Sequence, residues 1–293
     1  MNYVVITGGA GFIGSNLIEF FLKKTKKKII SIDNYSTGSK KNHINNKRVK
    51  YLKGNTKNIS KILNRYVSKI EVVFHFGEFS RIAQSFKKIQ DCFQSNIEGT
   101  NNVLQFCLKN KIKIIYSATS ASLGNNQNDQ HLSPYAFSKS YNMNLIMNLN
   151  EWFDLNYEII YFYNVYGKRQ ILTSGMAAVI GIFENCLKKN IPLPIVKPGN
   201  QSRRFTNIED TVKTCYYAYK QNKNNHYSVS SNKSYKILDV AKLFSNKVRF
   251  IPERRGERFE SKLVTKVRNK RVHNIISNMA LKDYVKTLKQ KYI

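Results

Sequence analysis

Short apolar runs alternate with longer amphipathic stretches over the first half of the chain. Val4-Val5-Ile6 is a compact branched run that reads as a short buried strand. Ile29-Ile30-Ser31-Ile32 follows as a second strand, and Val49-Lys50-Tyr51-Leu52-Lys53-Gly54-Asn55 is a weaker third. Val72-Val73-Phe74-His75-Phe76-Gly77 is apolar except for His75, as a strand buried on both faces should be. Residues 112–117 and 157–162 supply two more runs of the same kind. Between them, 15–22, 59–66, 92–109 and 138–153 have helical character. Strands and helices alternating in this rhythm predict an α/β fold with a doubly wound parallel sheet.

Between the first strand and the first helix lies Thr7-Gly8-Gly9-Ala10-Gly11-Phe12-Ile13-Gly14. Gly9, Gly11 and Gly14 fit G-x-G-x-x-G, whereas Gly8, Gly11 and Gly14 fit G-x-x-G-x-x-G. In either register a glycine turn brings bare backbone up to a helix N-terminus, where free N–H groups and the helix dipole favour a pyrophosphate. The second strand ends at Asp33, 19 residues after Gly14. A carboxylate there can accept hydrogen bonds from both ribose hydroxyls of an adenine nucleotide and would repel a 2′-phosphate. These features predict a Rossmann-type domain that binds NAD in preference to NADP.

A chain of 293 residues can bury a large core and divide into one large or two modest domains. No apolar run approaches the ~20 residues needed to span a bilayer, and the first strand begins where a signal peptide would lie. Cys92, Cys107, Cys186 and Cys215 are widely spaced with no C-x-x-C pair, which suits a reducing cytoplasm and gives no metal-binding pattern. The formal net charge of +31 raises the possibility of a nucleic-acid partner. The excess is mostly dispersed lysine, densest at Lys23, Lys24, Lys26, Lys27 and Lys28 in a helix-to-strand connection, and no nucleic-acid motif accompanies it. A lysine- and asparagine-rich surface with no nucleic-acid or membrane partner is the expectation.

The chemical centre is Ser133-Pro134-Tyr135-Ala136-Phe137-Ser138-Lys139. Tyr135 and Lys139 are four apart and share a helix face. An ammonium near a phenol favours the phenolate, and the positive nicotinamide ring would add to that effect. Tyr135 would then serve as a base toward a sugar hydroxyl.

With these motifs the chain resembles the extended short-chain dehydrogenase/reductase family, the NAD-dependent nucleotide-sugar epimerases and dehydratases. The resemblance covers nearly the whole chain and implies catalytic roles for Thr119, Tyr135 and Lys139. Thr119 follows from aligning Tyr116-Ser117-Ala118-Thr119-Ser120-Ala121-Ser122-Leu123-Gly124 on its closing glycine, with Ser117 and Ser120 as near neighbours. It implies that Gly8, Gly11, Phe12, Ile13, Gly14, Asp33, Asn34, Asn55, Phe76, Gly77, Ser117, Tyr135, Lys139 and Tyr163 surround NAD, with Lys139 holding the nicotinamide ribose. Asn55 stands where the family usually has an Asp at the adenine. Glu78 replaces a small residue in the family's His-x-Ala-Ala segment, where it would bond sugar hydroxyls or face Arg81. Asn96 belongs to a helix segment that supports the site. Asn164, Arg203 and Arg254 match diphosphate-binding positions, with Arg204 and Arg255 departing from the family pattern.

The implied organisation is a NAD-binding domain over residues 1–167, rejoined by a segment near 205–232, and a smaller substrate domain over 168–293. The loop Asn125-Asn126-Gln127-Asn128-Asp129-Gln130-His131 is short for the family. The resemblance implies a 4-epimerase of UDP-glucose/UDP-galactose or N-acetylhexosamine type that works through a 4-keto sugar, and a homodimer built on two long helices. Dehydratases of the family carry Asp-Glu after the Thr, whereas Ser120-Ala121 stand here. Decarboxylases and heptose epimerases share the core machinery, and a catalytically silent NAD- or RNA-binding relative is the alternative from another class.

Overall fold

A computed structural model describes residues 2–125 and 129–292. Asn126, Gln127 and Asn128 of the short loop lie outside the described residues. The central sheet is formed by β1 (Tyr3–Thr7), β2 (Lys28–Asp33), β3 (Val49–Lys53), β4 (Ile70–His75), β5 (Lys113–Thr119), β6 (Tyr157–Phe162), β7 (His226–Ser230), β8 (Lys266–Val267) and β9 (Lys270–Ile276). Its nine strands run in the order β8-β9-β7-β6-β5-β4-β1-β2-β3. All pairings are parallel except β8 with β9.

The branched runs explain the two-sided core. Successive strand residues face opposite ways, so Val4 and Ile6 pack beneath one helical layer while Val5 packs beneath the other. Ile29 with Ile30, Val72 with Val73, and Ile114 with Ile115 divide in the same way. One layer contains α1 (Phe12–Lys24) and α5 (Ile208–Lys220); the other contains α2 (Gly99–Lys109) and α3 (Pro134–Phe153). A smaller lobe is built on α4 (Val179–Lys189), α6 (Ile237–Phe244) and α7 (Leu281–Tyr292), whose apolar faces share a separate core with Phe183, Phe244 and Leu288.

Two local departures from the sequence expectation matter for the site. The stretch 92–109 is not one regular helix: Gln94–Glu98 forms a π turn before α2 begins. Such an inserted residue re-aims side chains, and it buries Asn96 completely. The segment that returns to the sheet also extends beyond 205–232, because β9 pairs with β7 from Val272 to Ile276. Only the two-residue β8 lies outside β9 and pairs with its first two residues, so the rest of β9 has a free side; Arg271 and His273 are exposed.

The strand order reverses between β1 and β4, each connected onward on opposite sides. That switch point leaves a crevice at the carboxyl ends of the strands. Thr7, Asp33, His75 and Thr119 end β1, β2, β4 and β5 there.

Candidate active site

A cleft of about 440 Å³ opens at this crevice and continues toward the smaller lobe. Gly8, Gly11, Phe12, Ile13, Gly14, Asp33, Asn34, Asn55, Phe76, Gly77, Glu78, Ser117, Thr119, Tyr135, Lys139, Asn164, Arg203 and Arg254 all line it. Tyr163 does not join them: its hydroxyl turns away to the Lys262 carbonyl (3.3 Å), and its neighbours Phe162 and Asn164 face the cleft instead. Tyr163 is buried in the sheet core because side chains alternate along an extended chain.

The glycine turn is shaped by close approach. Gly8 has φ +71°, and a Cβ there would lie 2.9 Å from the Gly77 nitrogen. A Cβ on Gly14 would lie 2.3 Å from the Gly8 carbonyl oxygen. Gly9 does not line the cleft; its hydrogen faces Ser31 on β2. The G-x-x-G-x-x-G register therefore describes the cleft wall, and Gly9 serves strand packing. Gly11 caps α1 without a side-chain hydrogen bond, so the N–H groups of the first turn remain available to an anion. Asp33 is buried and accepts from the main-chain N–H groups of Ala10 (2.9 Å) and Tyr35 (2.8 Å). Burial raises its pKa, opposed by those two donors. Each oxygen retains a lone pair for a further donor. A cradle that only glycine fits, an uncapped helix start and a carboxylate at the end of β2 fit NAD.

Lys139 is held from behind. Its ammonium donates to a Glu78 carboxylate oxygen and to the Ser117 carbonyl (2.5 Å), and lies 4.8 Å from the Tyr116 ring centroid. The two side chains are only 4% and 2% exposed. The other Glu78 oxygen accepts from Thr100 Oγ1 (3.0 Å), Tyr116 Oη (3.1 Å) and Asn142 Nδ2 (3.1 Å). This corrects the expectation that Glu78 would bond a sugar or face Arg81. Both of its oxygens are occupied by the chain's own donors, and Arg81 donates instead to the carbonyls of Met176 and Ser80.

The network continues from Thr100. Thr100 Oγ1 lies 2.9 Å from His75 Nε2, and His75 Nδ1 lies 2.8 Å from Thr7 Oγ1. Thr7 Oγ1 accepts from the N–H groups of Phe76 and Gly77. Burial pushes the His75 pKa down to about 4. A neutral ring then donates from Nε2 to Thr100 and accepts at Nδ1 from Thr7, a tautomer assigned from the network. Asn96 ties the loop after β4 to α3, accepting from the Phe79 N–H (2.6 Å) and donating to Ser138 Oγ (2.9 Å).

Thr119 caps the short helix Ser120–Leu123 by accepting from Ala121 N–H (3.3 Å), which leaves its own O–H free to donate. Ser117 Oγ is committed to the His75 carbonyl (2.9 Å), so of the two hydroxyls Thr119 has the free proton. Asn164 donates to the Arg204 carbonyl (2.9 Å), and Arg203 to the carbonyls of Ser202 and Arg258. Arg254 is half-exposed and 3.7 Å from Glu257. Sequence reasoning did not single out Arg258, which lines the cleft beside Ser120. It follows the Arg254-Arg255-Gly256-Glu257 segment directly, but a charged run carries no signal of which member is buried.

Residues 4–230 match the sequence model of the NAD dependent epimerase/dehydratase family. The chain belongs to this family. Its cofactor is NAD, and it shares an enzyme scaffold that serves epimerases, dehydratases and decarboxylases of nucleotide sugars. It is 29% identical over 266 residues to a putative UDP-glucose 4-epimerase of Methanocaldococcus jannaschii, covering 87% of this chain and 84% of that protein. It is 27% identical to an ADP-L-glycero-D-manno-heptose-6-epimerase of Brachyspira hyodysenteriae, covering 82% of this chain and 79% of that one. Among solved structures, the UDP-N-acetylglucosamine 4-epimerase from Methanobrevibacter ruminantium M1, in complex with UDP-N-acetylmuramic acid, superposes with a TM-score of 0.81 at 26% identity, covering 99% of this chain and 96% of that one. No helix among the described residues is long and apolar enough to cross a membrane.

Proposed function

We propose that this protein is a nucleotide-sugar 4-epimerase, with a UDP-hexose as substrate. The observation that carries the reading is one cleft that joins the Gly8–Gly14 turn and Asp33 to Thr119, Tyr135 and Lys139, with Ser120-Ala121 in place of an acid pair after Thr119. Two of the relatives described above are named 4-epimerases, which supports the same choice. Without a second acid beside the sugar, the proton transfers that eliminate water have no carrier, which favours return to the alcohol over dehydration.

Tyr135 takes the proton from the sugar C4 hydroxyl and later returns it. Thr119 donates its free O–H to the same sugar oxygen. Lys139 spends two of its three N–H groups on Glu78 and the Ser117 carbonyl, and the third serves the nicotinamide ribose. When bound, NAD supplies the acceptor and donor of the C4 hydride. Between the two transfers the 4-keto sugar turns within the cleft, held through its diphosphate by Asn164, Arg203 and Arg254. Asn34 and Asn55 flank the adenosine end.

A panel of UDP-, GDP- and dTDP-hexoses, with products read by NMR, tests the reading. Conversion of one sugar to its C4 epimer by the wild-type protein, and none by Tyr135→Phe, is the expected result. A Tyr135→Phe protein as active as wild type overturns the base assignment. The four cysteines are buried and free, which favours a reducing, cytoplasmic setting. For assembly, we propose a homodimer across α3, where Phe137 and Tyr141 are exposed one turn apart and Trp152 follows at 61% exposure. Light scattering that returns the mass of a single chain would contradict it.

A further inference from the structure

The guanidinium of Arg258 borders the cleft with no acid within ion-pair distance among the described residues. The residue is 8% exposed. Its Nη2 donates to Ser120 Oγ (3.1 Å) and Ser261 Oγ (3.3 Å), and its Nη1 is buried with no hydrogen-bond partner among the described residues. The acids on either side are directed elsewhere: Glu257 lies 3.7 Å from Arg254, and Glu260 lies 3.8 Å from Lys262. The main chain of Arg258 is pinned, since Arg203 Nη2 donates to its carbonyl (2.6 Å). Burial lowers its pKa from the ordinary guanidinium value, opposed at longer range by Asp129, whose carboxylate accepts from the main-chain and side-chain N–H groups of Asn125.

The position is informative. Ser120 follows Thr119 directly, and both line the cleft with Tyr135. Arg258 therefore stands at the reacting end of the sugar, while Arg203 and Arg254 are the cations assigned to the diphosphate. A diphosphate is answered by those two, and Arg258 is surplus to it. A buried cation left unpaired is costly. A bound carboxylate would remove that cost, and a guanidinium fork beside two rotatable hydroxyls suits its planar pair of oxygens.

We propose that Arg258, with Ser120 and Ser261, receives a carboxylate carried by the sugar, so that the substrate is a nucleotide-linked acidic sugar and not a neutral hexose. This rests on the nucleotide-sugar reading above and narrows it. The carboxylate could sit at C5, as in a uronate, or on a C3 substituent, as in a muramate.

Calorimetric titration of the NAD-loaded, full-length protein distinguishes these. UDP-glucuronate, UDP-N-acetylmuramate and UDP-glucose are compared on wild type, Arg258→Met and Arg258→Lys. Wild type should bind one of the two acids at least about tenfold more tightly than UDP-glucose. Preference for the glucuronate places the carboxylate at C5, and preference for the muramate places it at C3. Arg258→Met should weaken that acid at least about tenfold more than it weakens UDP-glucose. Should Arg258→Met fail to fold, Arg258→Lys keeps the charge but loses the fork, and selective weakening of the acid is again expected. Equal affinity of wild type for all three sugars, or equal weakening of all three by either variant, overturns the proposal. Epimerisation of UDP-glucose with no preference for an acid overturns this site and leaves the 4-epimerase reading intact. Acid-selective binding that is lost in Arg258→Met, with no epimerisation of any sugar, upholds the site and overturns that reading.

Discussion

Lys139 and Arg258 are both buried cations at the edge of one cleft, and the fold treats them differently. Lys139 meets a carboxylate, Glu78, that is itself held by Thr100, Tyr116 and Asn142. Arg258 meets two serine hydroxyls and nothing charged within ion-pair distance among the described residues. The first cation is balanced before any ligand arrives, as befits a residue that must hold one orientation through a whole cycle. The second is left for the ligand to balance. A site can thus keep its catalytic geometry independent of substrate and still let one charge report on what has bound.

The largest effect comes from removing the group that these cations flank. Tyr135→Phe should lower the epimerisation rate by about 10²–10⁴-fold while leaving the content of bound NAD unchanged. Steady-state rates alongside the absorbance of released cofactor check it. Next, breaking the balanced pair should cost stability. Glu78→Ala leaves a buried ammonium without its acid and should destabilise the protein by about 3–5 kcal/mol in urea unfolding. A Glu78→Ala protein as stable as wild type would show that Lys139 is not paired as described.

Acid should sharpen the comparison further, because the Glu78 network ends in a neutral histidine. An unfolded histidine takes up a proton near pH 6.5, whereas His75 does so only near pH 4 and buried His226 near pH 3. The folded pKa is depressed, so this stability is present above pH 6.5 and is lost as pH falls toward about 4. Each ring should contribute about 2–3 kcal/mol to that loss. Unfolding curves at pH 7 and pH 5, with His75→Gln as the control that removes the His75 share and leaves that of His226, measure it. The smallest expected effect is on the unbalanced side. Arg258→Met removes a buried charge that no acid pairs and loses two hydrogen bonds to Ser120 and Ser261, so stability should stay within about 0.5 kcal/mol of wild type or rise. A loss comparable to that of Glu78→Ala would mean that Arg258 is compensated within the fold.

How far the sequence foretold this depended on the range of the interaction. Gly8 and Gly14 were legible because a positive φ and a sub-van-der-Waals approach leave glycine as the residue that fits. Asp33 was legible from its place at the end of an apolar strand, and Tyr135 with Lys139 from helical spacing. The partner of Glu78 was not, because three elements far apart in the chain supply its donors. Arg258 was hidden in a charged run whose burial is decided by long-range packing, where Arg203 holds its carbonyl and Ser120 its guanidinium. Tyr163 was misread because one step along an extended chain turns a side chain from cleft to core. The strand β9 was missed because, with only the two-residue β8 outside it, its charged and polar residues break the apolar run of a buried strand.

One measurement bears most directly on the account: proton NMR of UDP-glucuronate and of UDP-N-acetylmuramate, each incubated with the NAD-loaded protein. The prediction is that the acid that binds more tightly becomes a mixture with its C4 epimer, reached from either sugar, with the carboxylate retained. Both sugars unchanged, or a product that has lost its carboxylate, would contradict it.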